Sequence, residues 1–353
     1  MKINNLEDLP PPPAHTLALG FPWTEYTPIQ NNTENLPKLS IITPSYNQGC
    51  YIEETIRSVL LQNYPNLEYI IIDGGSTDGT VEIIKKYEKW IHYWVSEPDN
   101  GQSDAINKGL AHATGDVFNW LNSDDVYLPN ALLAVGRSFL NKNINVLCGC
   151  EYSLYENGDK HLSKGSSICK TIEETIALGH IDQPPTFFRL DFYRQLGLLD
   201  NKLDFCMDVD MWVRYLCLFG TNGISKTEIV INLFRIHKES KTTNLKTISE
   251  RDRLNILFSI LKSLDKAYLP IAFDSKQLFF EFYSLKVYKI AANIDQKKLV
   301  LFITERFLGS FPQYFSWKFF FQLYFFALLN QSTIRNWRIY ASPLIKIKRI
   351  FHL

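Results

Sequence analysis

Four short apolar runs, each cut off by a polar turn and separated from the next by a helix-length stretch, constrain this chain most. Leu39-Ser40-Ile41-Ile42-Thr43, Tyr69-Ile70-Ile71-Ile72, Tyr93-Trp94-Val95 and Val117 to Leu121 read as buried strands. Between them, Tyr51 to Gln62 carries Ile52, Ile56, Val59 and Leu60 on one helical face, and Thr80 to Lys89 and Ser103 to Ala113 read as further helices. This βαβαβαβ order predicts an α/β fold with a doubly wound parallel sheet, a form that binds ligands at the carboxyl ends of its strands. The polar motifs of the region all fall at such ends.

Beyond Pro129 the pattern is less regular. Val146-Leu147-Cys148, Thr186-Phe187-Phe188 and Glu228 to Phe234 read as strands, and Asp210 to Leu218 as a helix. Residues 1–37 form a proline-rich leader, with a polyproline II segment at Pro10 to Pro13 and helix breakers at Pro22, Pro28 and Pro37, suited to an arm or to a strap across the domain. Residues 38–246 hold the α/β domain, and 247–353 a helical, aromatic-rich C-terminal extension. In that extension the run Trp317 to Leu329 is too short to span a bilayer, and Arg335, Arg338, Lys346, Lys348 and Arg349 follow it. Aromatics beside basic residues suit a helix lying on an anionic membrane face, or a helical subdomain packed on its neighbour.

Composition excludes some classes. Thirty-seven basic residues balance thirty-seven acidic ones, which argues against a nucleic-acid partner. The six cysteines show no CxxC spacing and read as reduced core residues, without zinc or disulfides. The N-terminus is polar and shows no secretory signal, so the expected location is the cytoplasm, at the inner face of the cell membrane if the C-terminal region makes peripheral membrane contact.

The chemistry concentrates in a few loops. In Asn122-Ser123-Asp124-Asp125 two adjacent carboxylates follow a buried strand, where they repel each other. A divalent cation bridging to a diphosphate, Mg2+ or Mn2+, would justify them, and capping of a helix after Pro129 is the plainer alternative. Thr43-Pro44-Ser45-Tyr46-Asn47 leads from strand to helix, where free backbone N–H groups can receive a nucleotide or its phosphates, although an ordinary turn would look the same. Asp73 can accept from a base N–H or a ribose hydroxyl, while Asp78 suits helix capping. Asp104 and Asn107, three apart, share a helix face, and Lys108 can meet a phosphate or water.

Taken in order and spacing, Ser40 to Asn47, Asp73 to Thr80, Asp104-Ala105-Ile106-Asn107-Lys108-Gly109 and Asn122 to Asp125 resemble the family 2 inverting glycosyltransferases of the GT-A fold, from about Lys38 to about Thr243. The resemblance implies a mixed sheet, a nucleotide-diphosphate sugar donor (a UDP-sugar above all) and a saccharide or lipid-linked acceptor hydroxyl. It places Asp73 on base and ribose, Asp104 near the nucleotide, Asp124 on the ribose or donor sugar, and Asp125 on the metal, with Asn122 orienting. Phe205-Cys206-Met207-Asp208-Val209-Asp210 resembles the family's acidic motif, which makes Asp208 the general base and Asp210 the runner-up or helix cap. Gln183 falls on the acceptor side. Arg235 to Lys241 resembles a segment that folds over the diphosphate, with His237 on metal or phosphate and Arg235 or Lys241 against leaving-group charge. Met207 stands where relatives carry Glu, and Asn122 where many carry Asp. These departures keep a catalytically silent nucleotide-sugar-binding or scaffold protein as the rival. A nucleotidyltransferase would need a glycine- and Lys/Arg-rich triphosphate loop, which is not found.

Overall fold

The four apolar runs become strands β1 (Leu39–Ser45), β2 (Leu67–Asp73), β3 (Tyr93–Ser96) and β4 (Val117–Trp120). All four are parallel: β1 lies between β2 and β4, and β3 pairs with the outer side of β2. Every residue of β1 and β4 is buried, as a parallel sheet covered on both faces requires. The computed structural model describes residues 3, 6–13, 19–28, 35–170, 172, 175, 180–203 and 207–241. These belong to one compact unit, Met1–Thr247. The C-terminal extension expected over 247–353, with its aromatic runs and its membrane contact, lies outside the described residues. Among the described residues no helix is long and apolar enough to cross a membrane.

Five more strands complete the sheet: β5 (Val126–Tyr127), β6 (Val146–Tyr155), β7 (Lys160–Ser163), β8 (Thr186–Arg189) and β9 (Ile224–Ile236). Among the described residues the order is β3-β2-β1-β4-β8-β6-β9-β5, with β7 paired on β6. The sheet turns mixed at β8, which runs antiparallel to both β4 and β6. Helices α1 (Ile52–Leu60), α2 (Thr80–Tyr87), α3 (Gln102–His112), α4 (Ala131–Ser138), α5 (Leu190–Gln195) and α6 (Met207–Phe219) accompany the strands. Close packing of α3 on β1 requires Gly109, where a Cβ would lie 2.6 Å from Ile42 Cγ2.

Helix α1 is more deeply enclosed than its apolar stripe predicts. Glu53, Thr55, Arg57 and Ser58 are buried with Ile52, Ile56 and Val59. The Arg57 guanidinium donates to the carbonyls of Pro10 and Pro22 and to Tyr87 Oη, and lies 5.3 Å from the Trp23 ring centroid. Tyr64 donates to Pro37 O, and Asn63 to Thr27 O. The described part of the leader is thus strapped onto α1 through its carbonyls, with Ile3, Leu9 and Leu36 in the core.

Cys148 and Cys150 are buried, in line with core cysteines, while Cys50 is exposed at the mouth of α1. Ser103, where the sequence places the start of this helix, lies inside α3 and does not cap it. The cap position is Gly101, and the Ser103 hydroxyl turns to Met207 Sδ at 3.2 Å.

The amino-terminal edge of the parallel strands is fastened by Glu68. Its buried carboxylate accepts from Lys38 Nζ and Ser40 Oγ at 2.5 Å, and from Thr114 N and Oγ1 at 2.7 and 2.6 Å, joining β1, β2 and the approach to β4. Burial raises its pKa, but these donors outweigh burial and bring it from 4.5 down to about 2. A group depressed in the folded state contributes stability that is complete above its unfolded pKa and is lost as pH falls through its folded one. The lock therefore supplies roughly 3 kcal/mol at neutral pH that disappears between pH 4.5 and 2. Urea unfolding at stepped pH should show wild-type stability falling through that window and a shallower fall in Glu68→Gln. Equal slopes would count against the lock.

Candidate active site

The row Ser45, Asp73, Ser96 lies across the carboxyl ends of β1, β2 and β3, so the loops after these strands meet. They are stitched together. Asn47 N donates to Ser76 Oγ, Thr77 N to Asn47 Oδ1, and Gly49 N to Asp78 Oδ2. Asp78 also accepts from Thr80 N and Oγ1 at the start of α2. Asp73 is fully buried, and its carboxylate takes Gly75 N, Ser76 N, Ser76 Oγ and Ser96 Oγ. It shapes the loop around itself. A base or ribose contact would have to exchange with one of these donors. Beside it, Tyr46 is exposed, while Ser45 Oγ and Gln48 Oε1 are buried without a hydrogen-bond partner. Buried polar atoms are normally satisfied, so these two call for a ligand or water.

The acidic loop after β4 occupies the same edge. Asp125 is fully buried, its Oδ1 accepting from Arg235 N and its Oδ2 from Asn122 Nδ2. Burial, then the charge of Asp124, pushes its carboxyl well above the usual range. Asp124 points the other way, with Oδ2 3.0 Å from His237 Nε2. The carboxylate set opposite the histidine is therefore that of Asp124, and the Asp125 expected at the metal stands behind it, holding β9. Asn122 has an orienting place, receiving Gln102 Nε2 and donating to Asp125. Ser123 is buried, and its carbonyl and that of Asp125 lie 2.9 and 2.8 Å from Thr55 Oγ1 on α1. Arg235 donates from Nε to Asp124 O and pairs with Glu54 at 2.9 Å, over the ring of Tyr51. Tyr51 also faces His237, with centroids 4.7 Å apart.

The first turn of α3 links this loop to α6. Gln102 reaches Asn122, and Ser103 reaches Met207, which precedes Asp208. Asp208 is half-buried, and the packing around it pushes its carboxyl above the ordinary range, with repulsion from Asp182 adding to the effect. Asp210 is buried and paired with Arg214 at 2.8 Å. Asp182 accepts from Ser163 Oγ, and nearby Glu151 is pushed up to about 7 by burial, against a hydrogen bond from Asn232.

Four expected residues have other engagements. Gln183 is buried, with Nε2 on Asn119 Oδ1 and Trp120 O. Lys108 pairs with Glu97 at 2.9 Å and Asp104 at 3.7 Å. Asp104 and Asn107 share a face as their spacing predicts, and that face meets Leu199 and Asn201. Sequence reasoning missed Tyr51, Glu54, Thr55, Gln102 and Asp182. For Thr55 a signal existed, since its hydroxyl lies on the helix face between Ile52, three residues before it, and Val59, four after it.

Residues 40–214 match the family described as Glycosyl transferase family 2. An uncharacterized glycosyltransferase of Rickettsia typhi (strain ATCC VR-144 / Wilmington) is 29% identical over 304 residues, which cover 79% of this chain and 92% of that protein. TuaG of Bacillus subtilis (strain 168), named for teichuronic acid biosynthesis, is 46% identical over 99 residues, covering 27% of this chain and 39% of TuaG. Among solved structures, S. aureus TarS 1–349 in complex with UDP-GlcNAc aligns with a TM-score of 0.58 at 19% identity, covering 78% of this chain and 80% of that one. A likeness at that identity shows a shared fold, GT-A.

Arg235 ties the acidic loop to α1 through two side-chain contacts. Arg235→Met should destabilise the protein by about 1–3 kcal/mol, because the Asp124 carbonyl and Glu54 lose a charged donor. Chemical denaturation measures this, and a change below about 0.5 kcal/mol would remove Arg235 from the support of the loop.

Proposed function

This chain belongs to glycosyl transferase family 2 through residues 40–214 and is a transferase, and from that premise we propose a specific reaction. It moves a sugar from a nucleotide-diphosphate donor, a UDP-sugar, to a hydroxyl of a saccharide or lipid-linked acceptor, with inversion. The observation that carries this reading is the acidic loop after β4, which turns Asp124 toward His237 at the edge where the β1 and β2 loops meet. TuaG's name supports a growing polysaccharide as acceptor, and a cytoplasmic setting at the membrane face goes with it.

The donor set fits a hard divalent ion held mostly by substrate. Among the described residues no three His, Cys, Asp or Glu side chains gather to cage a metal. One carboxylate and one imidazole, Asp124 and His237, suit Mg2+ or Mn2+ that draws its remaining ligands from phosphate oxygens and water. Such an ion supplies Lewis-acid stabilisation of the departing diphosphate. The chain's own residues do the rest. The loop Thr43-Pro44-Ser45-Tyr46 receives the nucleotide, with the unpartnered Ser45 hydroxyl as donor or acceptor and Tyr46 open for stacking. Asp73 holds the β2 loop beneath it. Asp125 and Asn122 fix the direction of Asp124. On the acceptor side, Asp208 takes the hydroxyl proton as oxygen attacks the anomeric carbon opposite the leaving group. The ion pair of Asp210 with Arg214 supports Asp208 over Asp210 in this role.

The test is release of nucleoside diphosphate over a panel of UDP-, GDP- and TDP-sugars with Mn2+ or Mg2+. We expect UDP release from one donor and its loss with a chelator. No release together with no UDP binding by calorimetry would overturn the reading, and pyrophosphate release would move the enzyme to nucleotidyl transfer.

Asp208→Asn should lower turnover by about 10²–10⁴-fold while UDP affinity stays within about twofold. Because its pKa is raised from 3.8, the acid limb of the rate profile should fall above that value as Asp208 protonates. A near-normal rate in Asp208→Asn would remove it from the mechanism.

A further inference from the structure

The face of α3 that carries Asp104 and Asn107 is turned toward the segment leading into α6. Asn107 treats Leu199 as a paired strand would. Its Oδ1 accepts Leu199 N at 2.9 Å and its Nδ2 donates to Leu199 O at 2.9 Å. The same Nδ2 reaches Asn201 Oδ1 at 3.0 Å, and Asn201 Nδ2 donates to Asp104 Oδ1 at 3.1 Å. The other oxygen of Asp104 holds the turn before α3 by accepting from Asn100 N at 3.0 Å.

From the opposite side the same segment is gripped by α6. Arg214 Nη1 donates to Leu196 O at 2.6 Å and to Leu198 O at 3.1 Å, while Nη2 pairs with Asp210. Leu199 and Leu203 are buried, so the segment is packed as well as bonded. Ser103, on the turn that carries Asp104, also touches Met207. Residues 196–203 are therefore bonded to α3 on one side and to α6 on the other, and Asp208 stands in the first turn of that helix.

We propose that Asp104, Asn107 and Asn201 form a clamp that positions Asp208 through the 196–203 segment, rather than a seat for the nucleotide. The proposal rests on the reading of Asp208 as the base. It accounts for two polar side chains, at a spacing of three, on a helix face that a nucleotide site alone would not need. These are positioning residues. They touch neither donor nor acceptor, and they act by fixing where a carboxylate stands. A displacement of about 1 Å at a reacting group can cost on the order of 10²-fold in rate.

Two measurements decide it. The first needs no activity. Hydrogen exchange in Asn107→Leu and in the exposed-loop variant Asn201→Ala should quicken at residues 196–203 and in the first turn of α6, with the loops after β1 and β2 unchanged. Unaltered exchange at α6 in both variants overturns the clamp, whether or not the protein is a transferase. The second reads the split between binding and turnover. Asn201→Ala and Asp104→Leu should lower kcat by about 10–100-fold with UDP affinity, by calorimetry, within about twofold. Asp104→Asn, whose single amide oxygen keeps one of the two acceptors that serve Asn201 and Asn100 N, should restore part of the rate. Loss of UDP binding in Asp104→Asn would place the carboxylate on the nucleotide and overturn the proposal. If wild type neither binds UDP nor consumes any donor, the transferase reading fails, and the exchange result still judges the clamp.

Discussion

Two carboxylates on consecutive residues at a strand end is an arrangement that repels itself, and the architecture of this site follows from how it is held. Asp125 is buried, with its carboxyl pushed toward the neutral form by burial and by its neighbour. It is tolerable there because Arg235 N and Asn122 Nδ2 both donate to it. Asp124 is turned outward to a histidine. The backbone between them is pinned by Thr55 from α1 and by the guanidinium of Arg235. Three elements distant in sequence, α1, α3 and β9, thus converge on four residues. An Asp at position 122 would add a third negative charge and remove a donor to Asp125. Asn therefore suits a site in which the inner carboxylate is structural and the outer one is free for chemistry.

Helix α1 links this loop to the rest of the domain. A helix buried on nearly all sides should be apolar throughout, yet Glu53, Thr55, Arg57, Ser58 and Gln62 are buried in or just beyond it. Each has a partner in a different element: Tyr87 for Glu53, the acidic loop for Thr55, leader carbonyls for Arg57, β5 for Ser58, and Leu128 and Leu132 for Gln62. Buried polar groups are costly unless paired, so a helix with this many of them has a fixed rotation and depth. That rigidity passes directly to Glu54 and Tyr51, which support Arg235 and His237.

The parallel half of the sheet was readable because apolar runs of strand length, bounded by turn residues, have few alternative interpretations. All four strands stand where the runs predict, and their ends carry the motifs. The later half was less readable for physical reasons. Strand β6 was expected only over Val146-Leu147-Cys148, but runs on to Tyr155, because its outer residues face solvent and pair with the exposed, polar β7. The Asn157-Gly158 turn that joins them was a usable hairpin signal. Strand β5 has two residues and no period to detect. In the site, residue type and strand-end position pointed to the acidic loop. What they could not give was direction, namely which of Asp124 and Asp125 faces outward, since that depends on β9 arriving from more than a hundred residues away.

The same limit, and its resolution, apply to Asp208 and Asp210. The two side chains are chemically identical and two residues apart on α6, so their positions alone do not assign a base. Their surroundings separate them. Asp210 lies four residues before Arg214, within one turn, and is buried against it; burial raises its pKa, and the guanidinium offsets part of that rise. Asp208 has no ion pair with that arginine, and burial, with repulsion from Asp182 adding to it, raises its proton affinity. Burial raises the proton affinity of both, so what distinguishes Asp208 is that no arginine is paired with it, which leaves its carboxylate available to take a proton. Arg214 therefore serves two ends: it pairs with the aspartate that would compete for the role, and it grips the segment that fixes where the remaining one stands.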